Sequence, residues 1–449
     1  MGLNVPAGGG AGAHRMLDQD PPHEASAAMA AAQTYSLAYL ASMYPMLSMT
    51  FILREVLQLR QMGFRIDVAS INPPDRTMKG LTAEEAAEAA RTYHLKSHGL
   101  PGAVTAHLRV LLENFSGYWR GLGFAGRLGG LDLKRLVLNY IYFTEALMVG
   151  VWMNRNKQRH LHVHLGQQAA TVGLFVRRVF GFGLSITLHG PDEFYDARGQ
   201  YLEQKIAAAD FICCISFFAR SQLMKLSPHA HWHKLVVSRL GVDPAVFLPR
   251  LSKPASDVFE ILCVGRLTPA KGQHLLIDAV ERLAQQGRRV RLRLVGDGPD
   301  GPSLRERAAQ LANPELVAFE GAVNQDYIRT LYSAADLFCI PSFAEGIPVV
   351  LMEAMAMEIP CVTTRITGVP ELICDGVDGL LVAPSDLEGL IEALAKLIDD
   401  EVLRERIAKA GRRRILEHYD LRRNVEKLAT IFAERGNTSL KQLEVGSQE

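Results

Sequence analysis

Residues 35–71 read YSLAYLASMYPMLSMTFILREVLQLRQMGFRIDVASI, and they contain a complete pattern of strand, helix and strand. YSLAYLAS is a short apolar run typical of a buried strand, and the residues after it place Ile52, Val56 and Leu59 on one face of a helix. Gly63 ends that helix, and FRIDVASI provides the next strand. Strand, helix and strand in this order predict a βαβ unit, the building block of a parallel sheet.

The alternation of strand and helix continues from this unit, is interrupted once, and then starts again. The interruption is PRLSKPASD, where Pro and Ser break the apolar period, so we predict a linker there. The sequence therefore predicts an α/β protein of two Rossmann-like, doubly wound domains. The expected boundaries are a disordered lead at 1–33, an N-terminal domain at 34–248 with a helical insertion at 104–159, the linker at 249–257, a C-terminal domain at 258–414, a crossover helix at 415–435 that can pack back on the N-terminal domain, and a flexible tail at 436–449.

The composition is that of a globular protein, with 48% hydrophobic and 22% charged residues. Lys and Arg number 49 against 48 Asp and Glu, which argues against nucleic acid as the main partner because phosphate backbones require a basic excess. The six cysteines form no CxxC pair, and most lie in apolar runs, as in a reducing cytoplasm. The Gly- and Ala-rich start does not resemble a signal peptide, and the apolar run at 136–152 contains Asn139 and Glu145. We therefore expect a cytoplasmic protein without a transmembrane helix.

Two cations flank a glycine-bearing turn after the first strand of the second domain. Arg266 and Lys271 lie five residues apart, between Gly265 and Gly272, where a helix begins. Backbone N–H groups, the helix dipole and the two cations would all favour a phosphate here. The alternative is an ordinary strand-to-helix turn with exposed basic residues.

A second candidate element is FAEGIP at 343–348, followed by the apolar helix VVLMEAMAM. Pro348 suits the first helical position, and Gly346 lets the backbone approach a ligand closely. The helix N-terminus can stabilise a second phosphate charge, while the carboxylates suit hydroxyl groups: Glu345 those of a sugar, and Glu353 those of a ribose. The alternative for Glu353 is a surface carboxylate, but its apolar neighbours predict burial, and a buried carboxylate needs partners.

These motifs resemble the signature of glycosyltransferase family 4. The signature combines GRL-x3-KG at 265–272 with the E-x7-E pair Glu345 and Glu353, and five further pieces follow the family order: GVDPAVFLP (241–249), VGDGP (295–299), FEGAV (319–323), TGVPELI (367–373) and DGLLV (378–382). The resemblance covers roughly residues 35–435 and implies a retaining enzyme of the GT-B architecture, with two Rossmann-like domains facing across a cleft. It implies that Arg266 and Lys271 neutralise the donor diphosphate, that Glu345 binds the transferred sugar, and that Glu353 binds the ribose. The donor-binding residues implied are Gly265, Arg266, Lys271, Val323, Glu345, Gly346, Ile347, Pro348 and Glu353.

On the N-terminal domain, LSITLHGPDEFYD places His189 at the end of a strand, with Asp192 close behind it. The resemblance implies that this His lines the sugar and acceptor side of the cleft, where a neutral imidazole can hydrogen-bond a sugar hydroxyl. The alternative is a loop His with a structural bond. We predict His189, Glu345, Arg266 and Lys271 as the catalytic residues and Asp192 as an acceptor-side residue.

The loop after the first strand resembles the P-x-L-S-E-T-F loop of exopolysaccharide transferases of the colanic-acid type, with Met49 where Glu is usual. Ser48 and Thr50 could contact donor or acceptor, or simply cap the next helix. These two residues are predicted on the acceptor side.

Three imidazoles, His160, His162 and His164, share one face of a strand because side chains alternate along it. A zinc site is conceivable, but no Cys or carboxylate completes a ligand set nearby in the sequence, so no metal is predicted. The text HLHVHL also resembles the HAHF strand of the colanic-acid type, which puts His164 at the edge of the cleft on the acceptor side.

We therefore expect a metal-independent, retaining enzyme without a cofactor. It would move a hexose from a UDP- or GDP-sugar to a lipid-linked or polysaccharide acceptor in cell-surface polysaccharide synthesis. The insertion carries Arg109, Trp119, Arg120, Arg127, Lys134 and Arg135 among apolar residues, and it is either a contact with the inner face of the cytoplasmic membrane or a helical cover over the sheet. The alternatives are an epimerase or phosphorylase of the same architecture and a sugar-nucleotide-binding protein without turnover. Dinucleotide oxidoreduction is disfavoured because no GxGxxG follows the first strand.

Overall fold

A computed structural model describes residues 35–77, 80–250 and 257–445. The lead predicted at 1–33, most of the predicted linker and the last residues of the predicted tail lie outside these ranges. The described residues form two sheets, each entirely parallel, with helices on their faces.

The N-terminal sheet has seven strands in the order β3-β2-β1-β4-β5-β6-β7. Chain order reverses between β1 and β4, and this is the point at which open α/β sheets bind ligands, at the carboxyl ends of their strands. The strands are β1 (Ser36–Met43), β2 (Arg65–Asn72), β3 (Tyr93–His94), β4 (His160–His164), β5 (Gly183–Leu188), β6 (Phe211–Cys214) and β7 (Leu235–Val237). Its helices are α1 (Thr50–Gln61), α2 (Ala83–Arg91), α3 (Gly99–Glu113), α4 (Phe115–Gly129), α5 (Leu133–Arg155), α6 (Gln168–Phe180), α7 (Leu202–Ala208) and α8 (Phe217–Lys225).

The C-terminal sheet repeats this arrangement with six strands in the order β10-β9-β8-β11-β12-β13. Its strands are β8 (Phe259–Val264), β9 (Val290–Val295), β10 (Val317–Gly321), β11 (Leu337–Ile340), β12 (Cys361–Thr364) and β13 (Leu380–Val382). Its helices are α9 (Gln273–Gln285), α10 (Gly301–Ala309), α11 (Gln325–Ala334), α12 (Val349–Ala356), α13 (Val369–Leu372), α14 (Leu387–Asp399) and α15 (Glu401–His418), and the chain continues into α16 (Leu421–Val445). The two doubly wound units predicted from the sequence are therefore present.

The predicted helical insertion is the three-helix segment α3–α5, which begins at Gly99 and ends before β4. Helix α5 is long and apolar enough to cross a membrane by length and composition, but 56% of its apolar window is buried inside the protein. Asn139 and Glu145 are both buried, and the Asn139 amide donates to the Tyr201 hydroxyl at 3.0 Å. The second half of α5 is thus a core helix of the N-terminal domain.

The crossover helix predicted at 415–435 is instead two helices, because the chain turns at Tyr419 and Asp420. Asp420 pairs with Val242 as an isolated bridge, and the Tyr419 hydroxyl donates to the Glu371 carbonyl at 2.9 Å. Beyond this turn, α16 packs on the N-terminal domain, where Phe432 is fully buried with its ring 4.9 Å from that of His162. The last helix therefore returns to the first domain and ties the two domains together.

Candidate active site

The carboxyl ends of both sheets meet where the two domains touch. His189 and Gly190 follow β5, and they lie against Gly346, which follows β11. A Cβ atom built on Gly346 would overlap the carbonyl oxygen of His189, and one on Gly190 would come within 3.2 Å of the Gly346 nitrogen. This close approach of two backbones requires glycine at position 346 and leaves little room for a side chain at position 190. The contact brings the predicted site residues of the two domains to one cleft.

The turn after β8 has the shape that the glycine spacing predicts. Gly272 has φ +66°, in the left-handed region, and a Cβ there would overlap the Pro341 carbonyl oxygen. It lies directly before α9. Arg266 is exposed beside this turn, and Lys271 forms an ion pair with Glu345 at 2.5 Å. The structure thus places Arg266 and Lys271 at one turn, with Lys271 reaching the loop after β11.

Glu345 is nine-tenths buried, and its carboxylate is held from two sides. Besides Lys271, the Ser342 hydroxyl donates to its Oε1 atom at 2.7 Å, and the Thr367 hydroxyl donates to its backbone carbonyl. The carboxylate therefore has a fixed position in the loop. The sequence does not predict the roles of Ser342 and Thr367, because isolated Ser and Thr residues occur in many structural contexts.

Helix α12 begins one residue later than predicted. Pro348 has ψ 121°, so it is the extended residue before the helix rather than its first helical residue. No side chain caps this end, so the first N–H groups of α12 keep the anion-binding capacity of a helix N-terminus. Gly346 and Ile347 form the approach to this end, with Ile347 buried. Val323 is half-buried in the segment between β10 and α11.

Glu353 is buried, as its apolar neighbours predict, and both of its carboxylate oxygens have partners. The Tyr332 hydroxyl donates to Oε2 at 3.0 Å, and Arg54 of the N-terminal domain donates to Oε1 at 3.4 Å. Burial raises the pKa of Glu353, and the Arg54 charge opposes that shift. Arg54 also donates to Gln325. The predicted ribose-binding carboxylate is therefore linked across the cleft to α1. The sequence does not predict this contact because the two residues are 299 positions apart.

The His189 loop is fixed by Glu193, the neighbour of the predicted acceptor-side residue Asp192. Asp192 is exposed, whereas Glu193 is buried and accepts hydrogen bonds from the backbone N–H groups of His189 at 2.5 Å and Gly190 at 2.9 Å. It also accepts from the N–H group of Gly166. Burial raises the pKa of Glu193, and these donors oppose the shift.

A second contact between the domains involves the TGVPELI motif. Glu371 accepts hydrogen bonds from the backbone N–H groups of Phe217 at 2.9 Å and Phe218 at 2.8 Å, the first residues of α8. A carboxylate at a helix N-terminus satisfies unpaired N–H groups and the helix dipole. This motif therefore has a role in joining the domains.

The three histidines of β4 are all buried and hydrogen-bonded. His160 Nε2 and His162 Nδ1 each lie 2.8 Å from the Ser185 hydroxyl, and His162 Nε2 lies 3.0 Å from the Thr187 hydroxyl. His164 lies at the cleft end of the strand, as predicted, with Nδ1 3.1 Å from His189 Nε2.

The fold supplies a carboxylate that the local sequence lacks. Glu55 of α1 reaches His162 and His164, and the three side chains could hold a metal ion by distance alone. Both ring nitrogens of His162 are already engaged by hydroxyl groups, and Glu55 Oε1 lies 3.0 Å from His164 Nε2. All four ring nitrogens of His162 and His164 therefore already have a hydrogen-bond partner.

Neither Ser48 nor Thr50 caps α1. Ser48 is exposed in a short 3-10 turn, Thr50 is buried as the first residue of the helix, and neither helix start has a side-chain capping bond. Met49, at the position where the resembling loop has Glu, packs against the core between α1 and β1.

Comparison with known proteins agrees with this architecture. Residues 250–414 match the family model described as glycosyl transferases group 1. The chain is 30% identical over 363 residues to the putative colanic acid biosynthesis glycosyltransferase WcaL of Escherichia coli, covering 78% of this chain and 88% of WcaL. It is 25% identical over 418 residues to the amylovoran biosynthesis glycosyltransferase AmsK of Erwinia amylovora, covering 88% and 98% of the two chains.

Solved structures share the fold at low sequence identity. HepE of Anabaena, in complex with UDP-glucose, has a TM-score of 0.66 at 18% identity, covering 89% of this chain and 99% of HepE. A sucrose-phosphate synthase of Thermosynechococcus elongatus has a TM-score of 0.69 at 18% identity, covering 90% and 100%. The predicted fold class and the predicted resemblance to exopolysaccharide transferases are both confirmed. Residues 250–414 are thus a group 1 glycosyltransferase region, and the chain belongs to the family of exopolysaccharide glycosyltransferases that contains WcaL, with the GT-B architecture.

Proposed function

We propose that this glycosyltransferase moves a hexose, with retention of configuration, from a nucleotide diphosphate sugar to a lipid-linked or polysaccharide acceptor. The main support for the proposal is that five groups lie at the same end of the C-terminal sheet. These are the cations Arg266 and Lys271, the uncapped start of α12, the buried Glu345 and the buried Glu353. Cations and N–H groups suit a diphosphate, and the carboxylates suit the hydroxyl groups of a sugar and a ribose.

The chemistry required is stabilisation of a departing diphosphate beside a sugar that develops oxocarbenium character. Fixed charges and dipoles aimed at the leaving group lower that barrier because they need no reorganisation during the reaction. Lys271 is held close by Glu345, and a bound diphosphate would draw this cation away from the carboxylate. Glu345 would then be free to accept from a hydroxyl of the transferred sugar.

The same groups support a reaction without a metal ion. The predicted phosphate-facing residues are cations and backbone N–H groups, which neutralise phosphate directly, whereas Mg²⁺ would be bound through carboxylate oxygens. The proposal therefore assigns the role of a divalent ion to Arg266, Lys271 and the α12 N-terminus.

We also propose that the acceptor is met at a membrane surface through α3–α5. More than half of the exposed large hydrophobic side chains in the described residues lie on this segment, among them Leu112, Phe115, Trp119, Leu131 and Leu133. Arg120, Arg127, Lys134 and Arg135 are exposed with them. Apolar side chains with interspersed cations suit an interface with anionic lipid, such as the inner face of the cytoplasmic membrane. Flotation with vesicles containing anionic phospholipid tests this, and a protein that stays unbound would contradict it.

The donor proposal is tested by screening nucleotide sugars for thermal stabilisation. A ligand present at about 100 times its dissociation constant stabilises the folded state by about 2.7 kcal/mol. We expect one UDP- or GDP-sugar to stand out, because HepE is solved with UDP-glucose and the names of the curated relatives refer to polysaccharide synthesis. Product analysis with and without acceptor separates transfer from epimerisation, which needs no acceptor, and from phosphorolysis, which needs phosphate.

A further inference from the structure

A chain of hydrogen bonds leads from the interior of the N-terminal domain to the cleft. The Tyr39 hydroxyl donates to Glu55 Oε1 at 2.7 Å, and the same oxygen lies 3.0 Å from His164 Nε2. His164 Nδ1 lies 3.1 Å from His189 Nε2. Glu55 and His164 are buried, whereas His189 is half-buried at the cleft, so the chain connects a buried carboxylate to an imidazole at the cleft.

The direction of each hydrogen bond in this series follows from which atoms carry a proton and can donate it. A carboxylate only accepts, so His164 must carry its proton on Nε2. When Nε2 is the only protonated nitrogen of His164, its Nδ1 can only accept, so His189 must donate to it from its own Nε2. The remaining nitrogen of His189, Nδ1, is then an acceptor, and it has no hydrogen-bond partner among the residues that the structure describes.

One ring contact and the pKa shifts of His189 and Tyr39 keep this arrangement in place. The Phe51 ring lies 4.8 Å from that of His189, which fixes the plane of the imidazole. Burial and the neighbouring His164 hold the pKa of His189 well below its usual range, so His189 is neutral at physiological pH. Burial also holds the pKa of the Tyr39 phenol well above its usual range, so Tyr39 stays a donor to Glu55.

We infer that Glu55 and His164 are positioning residues that hold His189 as the Nε2–H tautomer, so that its Nδ1 accepts a hydrogen bond from a substrate hydroxyl. This rests on the proposed function, in which His189 faces the sugar. It also restricts the substrate: the sugar must present a hydroxyl that donates at this point, and a group that can only accept is disfavoured. The network is thus a specificity device built behind the cleft.

The test uses the full chain labelled with ¹⁵N-histidine, whose ring nitrogens report the tautomer by NMR. The His189 signals are identified by their loss in His189→Gln. We expect a single His189 tautomer in the wild-type protein, with the proton on Nε2. Protonation on Nδ1, or a His164 ring protonated on both nitrogens, would overturn the inference without the need for any further variant.

Two substitutions of Glu55 separate positioning from packing. Glu55→Gln keeps an acceptor oxygen, which the Tyr39 hydroxyl holds in place, so the tautomer and the turnover should be retained. Glu55→Leu removes the acceptor, so His189 should become a mixture of tautomers and kcat should fall about 10-fold or more with little change in KM for the nucleotide sugar, as for other supporting hydrogen bonds behind a site. His160→Gln, on the same strand but without a contact to His189, is the control for a buried change and should retain both properties.

The outcomes distinguish this inference from the proposed function. If His189→Gln keeps full transfer activity, the role proposed for His189 is wrong. If His189→Gln loses activity but folded Glu55→Leu keeps a single tautomer and a normal kcat, the role of His189 stands and the positioning chain is refuted. If Glu55→Leu does not fold, the wild-type tautomer alone decides the matter.

Discussion

Replacing Arg54 with Met should destabilise the protein in a pH-dependent way, because it leaves Glu353 buried without its cation. The pair spans the two domains at 3.4 Å, with the Arg54 side chain 17% exposed and that of Glu353 5% exposed. Glu353 keeps its bond to Tyr332. We therefore expect a loss nearer to that of one charge-assisted hydrogen bond, about 1.5–3 kcal/mol, than to that of a fully buried pair. For a domain of this size, that lowers Tm by about 3–12 °C.

The dependence on pH has a definite sign. In the folded protein the pKa of Glu353 is raised above 4.5, so its contribution to stability is fully present below that pH and is lost as the pH rises through the raised pKa. Arg54 lowers that pKa, so its removal raises it further and widens the window over which stability is lost. The difference in Tm between Arg54→Met and wild type should therefore be larger at about pH 7.5 than at about pH 5.

Scanning calorimetry on four proteins completes this test. They are wild type, Arg54→Met, Glu353→Gln and the double variant, and each is measured at both pH values. In the Glu353→Gln background, Arg54→Met should lower Tm clearly less than in the wild-type background, because no buried charge is left unpaired. If Arg54→Met lowers Tm equally in both backgrounds, or by the same amount at both pH values, the coupling between Arg54 and Glu353 is refuted.

Four further outcomes follow from the same structure. Arg266→Ala and Lys271→Ala should each reduce kcat by about 10²-fold or more, as for loss of a preorganised charge stabiliser; near wild-type rates in both folded variants would place the diphosphate elsewhere. Transfer activity should survive EDTA, and complete loss that Mg²⁺ or Mn²⁺ restores would contradict the metal-free proposal. Gly346→Ala should reduce turnover by about 10²-fold, because the added methyl group would push apart the two backbones that meet at the cleft. Gly123→Ala, which has open space around its Cβ position, should leave turnover unchanged. Phe432→Ala should cost about 3–5 kcal/mol of stability by opening a cavity under α16, and a loss below about 1 kcal/mol would mean that this helix does not fix the domains.

The fold and the candidate site residues of the C-terminal domain could be predicted from the sequence because both depend on patterns within short segments. The βαβ period predicts the sheets, and the GRL-x3-KG and E-x7-E spacings place Arg266, Lys271, Glu345 and Glu353 at strand ends. Their proximity then follows from the parallel arrangement, in which strand ends share one edge. The sequence predicts the start of α12 one residue too early because Pro is compatible with both the position before a helix and its first residue.

Contacts between distant segments could not be predicted in this way. Arg54 and Glu353 are 299 residues apart and belong to different domains. Glu55 lies on the same helix as Arg54 and belongs to no sequence motif, yet its carboxylate contacts His164 of β4. Asp192 and Glu193 are adjacent, and only the three-dimensional path of the loop shows that Glu193 is the one that holds His189. Such contacts depend on how the helices pack on the sheets, and the spacing of residues within a short segment does not determine that packing.

We propose that a nucleotide sugar binds with its ribose at Glu353 and its sugar at Glu345, and titration calorimetry decides between this orientation and the reverse. UDP and GDP are titrated into wild type, Glu345→Gln and Glu353→Gln, with folding checked for each. Glu353→Gln should weaken binding of the free nucleoside diphosphate by about 1.5–3 kcal/mol through loss of a charge-assisted hydrogen bond. Glu345→Gln should leave that affinity nearly intact while transfer is damaged. If Glu345→Gln loses nucleotide affinity and Glu353→Gln does not, the donor lies in the opposite direction along the cleft; if neither nucleotide binds the wild-type protein, the proposed donor class is wrong.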